Sequence, residues 1–196
     1  MISATRLLPL LTCLAMSLPS HAQKAEMPGP ESFRVGDQWE WRQVDNRTKV
    51  EEAKISRAVV KVNDVLQFSN GTTNVNVSAA LIDGAYGHSS KPWRVWPLEV
   101  TKKWSFESDW QRPDGVSGTT KQDVEVLAYE EVAVPAGKFM AYRIEHKGSY
   151  RYPGKYGKQN DTFWYAPDAQ ADVKHIRDDG YNLYTRELVS YRRGAP

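Results

Sequence analysis

The segment Asp123-Val124-Glu125-Val126-Leu127-Ala128-Tyr129-Glu130-Glu131-Val132-Ala133-Val134 runs through Pro135-Ala136-Gly137 into Lys138-Phe139-Met140-Ala141-Tyr142-Arg143-Ile144-Glu145-His146-Lys147-Gly148-Ser149-Tyr150. Apolar and polar residues alternate over much of both sides of the insert, which is the period of a strand with one buried face. The proline and glycine of Val134-Pro135-Ala136-Gly137 supply the turn that folds the two halves back on each other as an antiparallel hairpin.

The same grammar extends outward in both directions. Asn70-Gly71 separates Val65–Ser69 from Thr72–Val77, and a two-residue Asn-Gly loop accepts the positive φ angles of a type I′ hairpin. In that register Leu66 faces Val75 and Phe68 faces Thr73. Arg112-Pro113-Asp114-Gly115, Tyr152-Pro153-Gly154, Ala166-Pro167-Asp168 and Asp178-Asp179-Gly180 punctuate the rest. No segment carries a long amphipathic helical period with caps. Val50 to Val62 is the best helical candidate, through Ile55, Ala58, Val59 and Val62. Its β-branched run Val59-Val60-Lys61-Val62 and the hairpin that follows favour a strand. The expected fold is all-β and antiparallel, with about ten strands and little helix.

Val35-Gly36-Asp37-Gln38-Trp39-Glu40-Trp41 and Val100-Thr101-Lys102-Lys103-Trp104-Ser105-Phe106 echo each other, each with two aromatics on one face. Two similar half-domains would produce that echo, and so would any strand entering a core.

The N-terminus points to export. Arg6 precedes an apolar stretch from Leu7 to Leu18, and Ser20-His21-Ala22 places small residues where a signal peptidase reads. The stretch is shorter than the roughly 20 apolar residues a spanning helix needs, so an integral membrane protein is not expected. Cys13 lies inside the apolar run after Thr12, which does not suit a lipid-attachment box. The expected division is a signal peptide over 1–22, a polar lead-in over 23–32, one domain over 33–192 and a short tail over 193–196. Removing 22 of the 196 residues leaves 174, enough for one core. Cys13 is the only cysteine, so the processed chain has no disulfide and no thiolate ligand or nucleophile. With 26 basic residues against 24 acidic ones, there is no electrostatic footprint for nucleic acid.

An enzyme needs a base, acid, nucleophile or metal within mutual reach. His88, His146 and His175 share no metal-ligand spacing. They read as solvated surface residues, in a Gly/Ser loop, on a charged strand and beside Lys174. Ser89 and Ser90 lack a nucleophile elbow. The acidic pairs Glu51-Glu52, Glu130-Glu131 and Asp178-Asp179 read as turns or solvated faces rather than opposed glycosidase carboxylates. No catalytic residue, metal site or cofactor is expected.

What remains is aromatic: seven Trp, ten Tyr and five Phe. Most should fill the core of a disulfide-free domain. Trp93, Trp96, Trp110 and Tyr165 are the candidates for a ligand or partner surface, Trp93 and Trp96 within the proline-bounded Lys91-Pro92-Trp93-Arg94-Val95-Trp96-Pro97.

Val132-Ala133-Val134-Pro135-Ala136-Gly137-Lys138-Phe139, Tyr142-Arg143-Ile144, Thr162-Phe163-Trp164-Tyr165-Ala166-Pro167, Val173-Lys174 and Glu187-Leu188-Val189-Ser190-Tyr191 occur in this order. Together with Val35–Trp39 and Trp96–Trp104 upstream, the series resembles domain-of-unknown-function family 3108, an uncharacterised group of exported bacterial domains. Asp168-Ala169-Gln170-Ala171-Asp172 stands where that family has a glycine-containing turn. The resemblance implies a single, strongly curved antiparallel sheet, like the open half-barrel of periplasmic lipoprotein carriers, and no catalytic residues. The expectation is a periplasmic or secreted non-enzymatic domain that binds an apolar ligand or lipid in the concave face of its sheet. The alternatives are an envelope interaction module pairing through an edge strand, and, last, a polysaccharide hydrolase.

Overall fold

Residues 24–29, 32–83, 89–112 and 114–195 are described by the computed structural model of the chain. The expected export signal, with Cys13, lies outside the described residues, as do His88 and Pro113.

Eleven strands and one short helix follow one another: β1 Gln38–Asp45, β2 Glu51–Val62, β3 Val65–Ser69, β4 Asn74–Asn76, α1 Val77–Asp83, β5 Ser89–Lys91, β6 Lys103–Gln111, β7 Ser117–Val134, β8 Gly137–Tyr152, β9 Lys155–Ala166, β10 Ala171–Asp178 and β11 Leu183–Arg192. All belong to one antiparallel sheet ordered β4-β3-β2-β1-β11-β10-β9-β8-β7-β6-β5. Every neighbour is a chain neighbour except β1 and β11, which pair in mid-sheet. The sheet is open between β4 and β5, the strands that flank α1 and the segment after it.

The sheet is strongly curved. Phe68 of β3 and Phe163 of β9 line one cavity of about 410 Å3, although their strands stand five places apart, about 24 Å in a flat sheet. Only a bent sheet brings them to a common space. Two apolar clusters fill the bend. One gathers Trp39, Trp41, Phe68 and Leu188 with Val77 and Leu81 of α1. The other gathers Leu98, Phe106, Val126, Ile144 and Phe163. The indoles of Trp39 and Trp41 donate to the carbonyls of Ala169 and Asp172, at 2.7 and 2.8 Å, tying β1 to the start of β10.

The turns follow their chemistry. Pro135-Ala136 and Pro153-Gly154 are two-residue loops, with Val134 paired to Gly137 and Tyr152 to Lys155. The segment 50–62 is strand, as its β-branched content predicts. The Asn70 hairpin forms in a different register from the expected one: Ser69 pairs Asn74 and Phe68 pairs Val75. Its loop has four residues because the Asn70 carboxamide oxygen accepts from the amides of both Thr72 and Thr73, at 3.0 and 2.8 Å, closing a wider turn than Asn-Gly alone requires. A shift of two keeps the same residues on each face. In the turn that lacks a glycine, Gln170 itself takes φ +52.

The echoing stretches Val35–Trp41 and Val100–Phe106 lead into β1, fourth in the sheet, and β6, next to its other edge. The lead-in is docked where Ala25 and Leu98 exchange backbone hydrogen bonds of 2.9 and 2.7 Å, where Lys24 pairs with Glu99 at 3.4 Å, and where Arg193 donates to the Ser32 carbonyl. No helix among the described residues is long and apolar enough to cross a membrane.

Candidate functional site

Residues 92–98 form a strap across the inner face of the bend. The Arg94 amide donates to the Ile82 carbonyl at 3.0 Å, and Leu98, fully buried, bridges to Ala25. Between these anchors the Trp93 ring stands 5.1 Å from Phe106, 4.9 Å from Phe163 and 4.4 Å from His146. Trp93 and Arg177 line two cavities in common, one towards β2 and β11, the other towards the β6–β9 end.

The sheet supplies the floor as rungs of facing residues. One rung runs Trp104, Val124, His146, Asp161, Arg177, Tyr184 across β6 to β11. The next runs Val126, Ile144, Phe163, His175, Arg186. Asp161 is the hub of the polar part. Its Oδ1 accepts from Arg177 Nε at 2.7 Å and lies 2.7 Å from His175 Nε2. Its Oδ2 accepts from Gln122 and Gln159 at 3.1 and 3.3 Å. Burial pushes the carboxyl pKa up, but the hydrogen bond from His175 and the charge of Arg177 outweigh it and hold the group ionised. With both oxygens engaged twice, the carboxylate organises the floor rather than offering a free base.

The two described histidines depart from the surface role read from sequence: His146 is 0 % exposed and His175 is 7 % exposed. His146 lies between Glu145 and Lys147 and His175 follows Lys174, but their own face is the inner one, covered by the strap and the bend. The His146 nitrogens have no hydrogen-bond partner among the described residues, and burial pulls its pKa down to about 3, so the ring is neutral. The His175 ring stacks on Phe163 at 4.1 Å; burial lowers its pKa too, against the pull of Asp161. Among the described residues no three His, Cys, Asp or Glu side chains converge as metal ligands do.

The second cavity, of about 490 Å3, is walled by the rings of Trp93, Phe106, Trp110, Tyr150, Tyr152 and Tyr181, with polar and charged side chains, Arg112, Lys155 and Asp179 among them, between the rings. Its wall is seated on glycines. Trp110 faces Gly118 across β6–β7, and a Cβ there would stand 2.3 Å from the indole. Tyr150 faces Gly157 across β8–β9, with the corresponding distance 2.5 Å. The missing side chains let both rings lie flat against the sheet.

Of the four aromatic candidates, Trp93 lines both cavities, Trp110 the second and Tyr165 the first. Trp96 lines neither; it packs 5.3 Å from Tyr165 and donates to the Leu81 carbonyl at 3.3 Å. Sequence reasoning misses Tyr150, Tyr152 and the lining arginines Arg57, Arg94, Arg177 and Arg186. The available signals were the period-two pair Tyr150/Tyr152 and Gly118 and Gly157 inside strand patterns, where a glycine marks close approach.

No model of a known protein family matches the chain, and no curated protein matches it either. The resemblance to family 3108 therefore rests on its motifs alone. Two solved structures are similar. One is a candidate lipoprotein of Parabacteroides distasonis, 13 % identical, with 87 % of this chain and 100 % of that chain covered and a TM-score of 0.47. The other is a candidate exported protein with a YmcC-like fold from Bacteroides fragilis, 9 % identical, with the same coverage and a TM-score of 0.46.

Proposed function

We propose that the protein is an exported, non-enzymatic β-domain, periplasmic or secreted, that binds an apolar ligand such as a lipid on the concave face of its sheet. The observation that carries this reading is the aromatic chamber of about 490 Å3, in which the rings of Trp110 and Tyr150 lie on the glycines opposite them in the sheet. Its volume falls in the range of small-molecule sites, which are concave and aromatic-lined. The absence of an enzymatic role is supported by Asp161, whose oxygens are engaged, and by His146, closed in among aromatic rings. An interaction module adding a partner strand is less well supported, because the open edges β4 and β5 are three residues each.

Uptake by lipid-stripped protein is the test. Titration with a medium-chain fatty acid should quench or shift tryptophan emission saturably at one ligand per chain, through Trp93 and Trp110. Emission that stays unchanged while equilibrium dialysis retains no fatty acid overturns the proposal.

A further inference from the structure

We infer that the first cavity recognises a ligand ending in one anionic head group, a carboxylate or a phosphate, while its apolar body lies along the aromatic chamber. This rests on the concave face being the ligand site, and it adds what that ligand must carry.

The charge balance of the cavity points there. Arg57, Arg94, Arg177 and Arg186 line it, and the carboxylates facing them are Asp172 and, in the floor, Asp161. Arg177 is committed to Asp161 at 2.7 Å, and one arm of Arg94 to Asp172 at 2.9 Å. Arg186 donates to the neutral Gln43 amide oxygen at 2.9 Å. Arg57 forms no ion pair with a described residue; its guanidinium lies 5.0 Å over Phe68 and 5.4 Å over Trp41. Arg57 and Arg186 thus hold no carboxylate in direct contact, Arg57 feeling that of Asp172 only at longer range.

Buried donors at the same place also lack acceptors. Arg94 is 5 % exposed and Tyr165 1 % exposed, yet Arg94 Nε and Tyr165 Oη have no hydrogen-bond partner among the described residues, and neither has Arg186 Nε. Arg94 stands 4.9 Å over the Tyr165 ring, which places the two together. Leaving such groups unpaired is expensive, and more so for a charge. A carboxylate or phosphate is the complement, because its oxygens match the fork of a guanidinium and accept from a phenol. A cationic head would meet unopposed positive charge. Trp93 and Arg177, shared by both cavities, let head and body occupy adjoining spaces.

Calorimetric titration of the lipid-stripped chain with decanoate, decyl phosphate, decanol and decyltrimethylammonium tests this. One anion or both should bind at least about tenfold more tightly than decanol, the scale of one charge-assisted hydrogen bond. The cation should bind most weakly, and the preferred anion identifies the head group as carboxylate or phosphate. Arg57→Gln should shrink the anion-to-decanol ratio, and Arg186→Gln should do the same, each with a wild-type circular dichroism spectrum. Equal affinity for anions and decanol overturns the head-group inference and leaves the apolar site standing, as does a ratio that neither folded variant moves. Failure of all four probes to bind overturns both.

Discussion

His146 is where acid should reach this protein first. Its ring stays neutral down to about pH 3 in the folded chain, against an ordinary value of 6.5. Between those limits the unfolded chain binds the extra proton, so stability falls as pH falls, by about 1.4 kcal/mol per unit from this residue alone. His175, also lowered by burial, adds in the same direction. Asp161, held ionised, adds only once pH drops below the ordinary Asp value of 3.8. Urea unfolding near pH 7.5 and near pH 5 should show this loss, and His146→Leu should reduce the slope without abolishing it, since His175 remains. An unchanged slope in that variant would mean that His146 is not the buried neutral ring described. The burial was not legible in the sequence. Glu145 and Lys147 mark one face of the strand as polar, but nothing local reports that the opposite face is roofed by Trp93, which arrives from another part of the chain.

The hairpins were legible because their loops are local: proline presets φ and glycine takes positive φ wherever the residues stand together. Registers that depend on a side chain were not, and the Asn70 carboxamide widened its loop by two residues. Inside the strands, Gly148 has a different task. A Cβ there would fall 1.9 Å from the Lys121 carbonyl oxygen, a backbone atom of the neighbouring strand that cannot swing aside. Gly148→Ala should therefore destabilise by about 1 to 3 kcal/mol or more, as overpacking does, seen as a lower denaturation midpoint; a midpoint equal to wild type would contradict the close approach of β7 and β8. The β9–β10 turn makes the opposite case. Gln170 occupies φ +52, a conformation disfavoured for residues with a Cβ. Gln170→Gly should be neutral or stabilising by up to about 1 kcal/mol, offset by loss of its 2.6 Å hydrogen bond from Arg193. A clear loss of stability would show that the tie to Arg193 outweighs the backbone strain.

At the scale of the molecule, the strand order runs in chain sequence around the bend, with β1 and β11 joined in the middle and the opening between β4 and β5. Period-two stretches with turns announce antiparallel pairs, but the β1–β11 pairing links opposite ends of the chain and leaves no local trace. The strong curvature was implied by the family resemblance rather than by any periodicity. The same holds for the site: its aromatic share was partly visible in Trp93, Trp110 and Tyr165, whereas its arginines come from β2, the strap, β10 and β11 and meet only when the sheet bends. Everything functional here depends on that inner face receiving a ligand. The most direct measurement is the set of nuclear Overhauser effects between carbon-13-labelled decanoate and the protein. Cross-peaks from the chain methylenes to the indole protons of Trp93 and Trp110 are expected. Cross-peaks confined to exposed residues such as Tyr156 or Val50, or none from bound decanoate to either indole, would contradict the account.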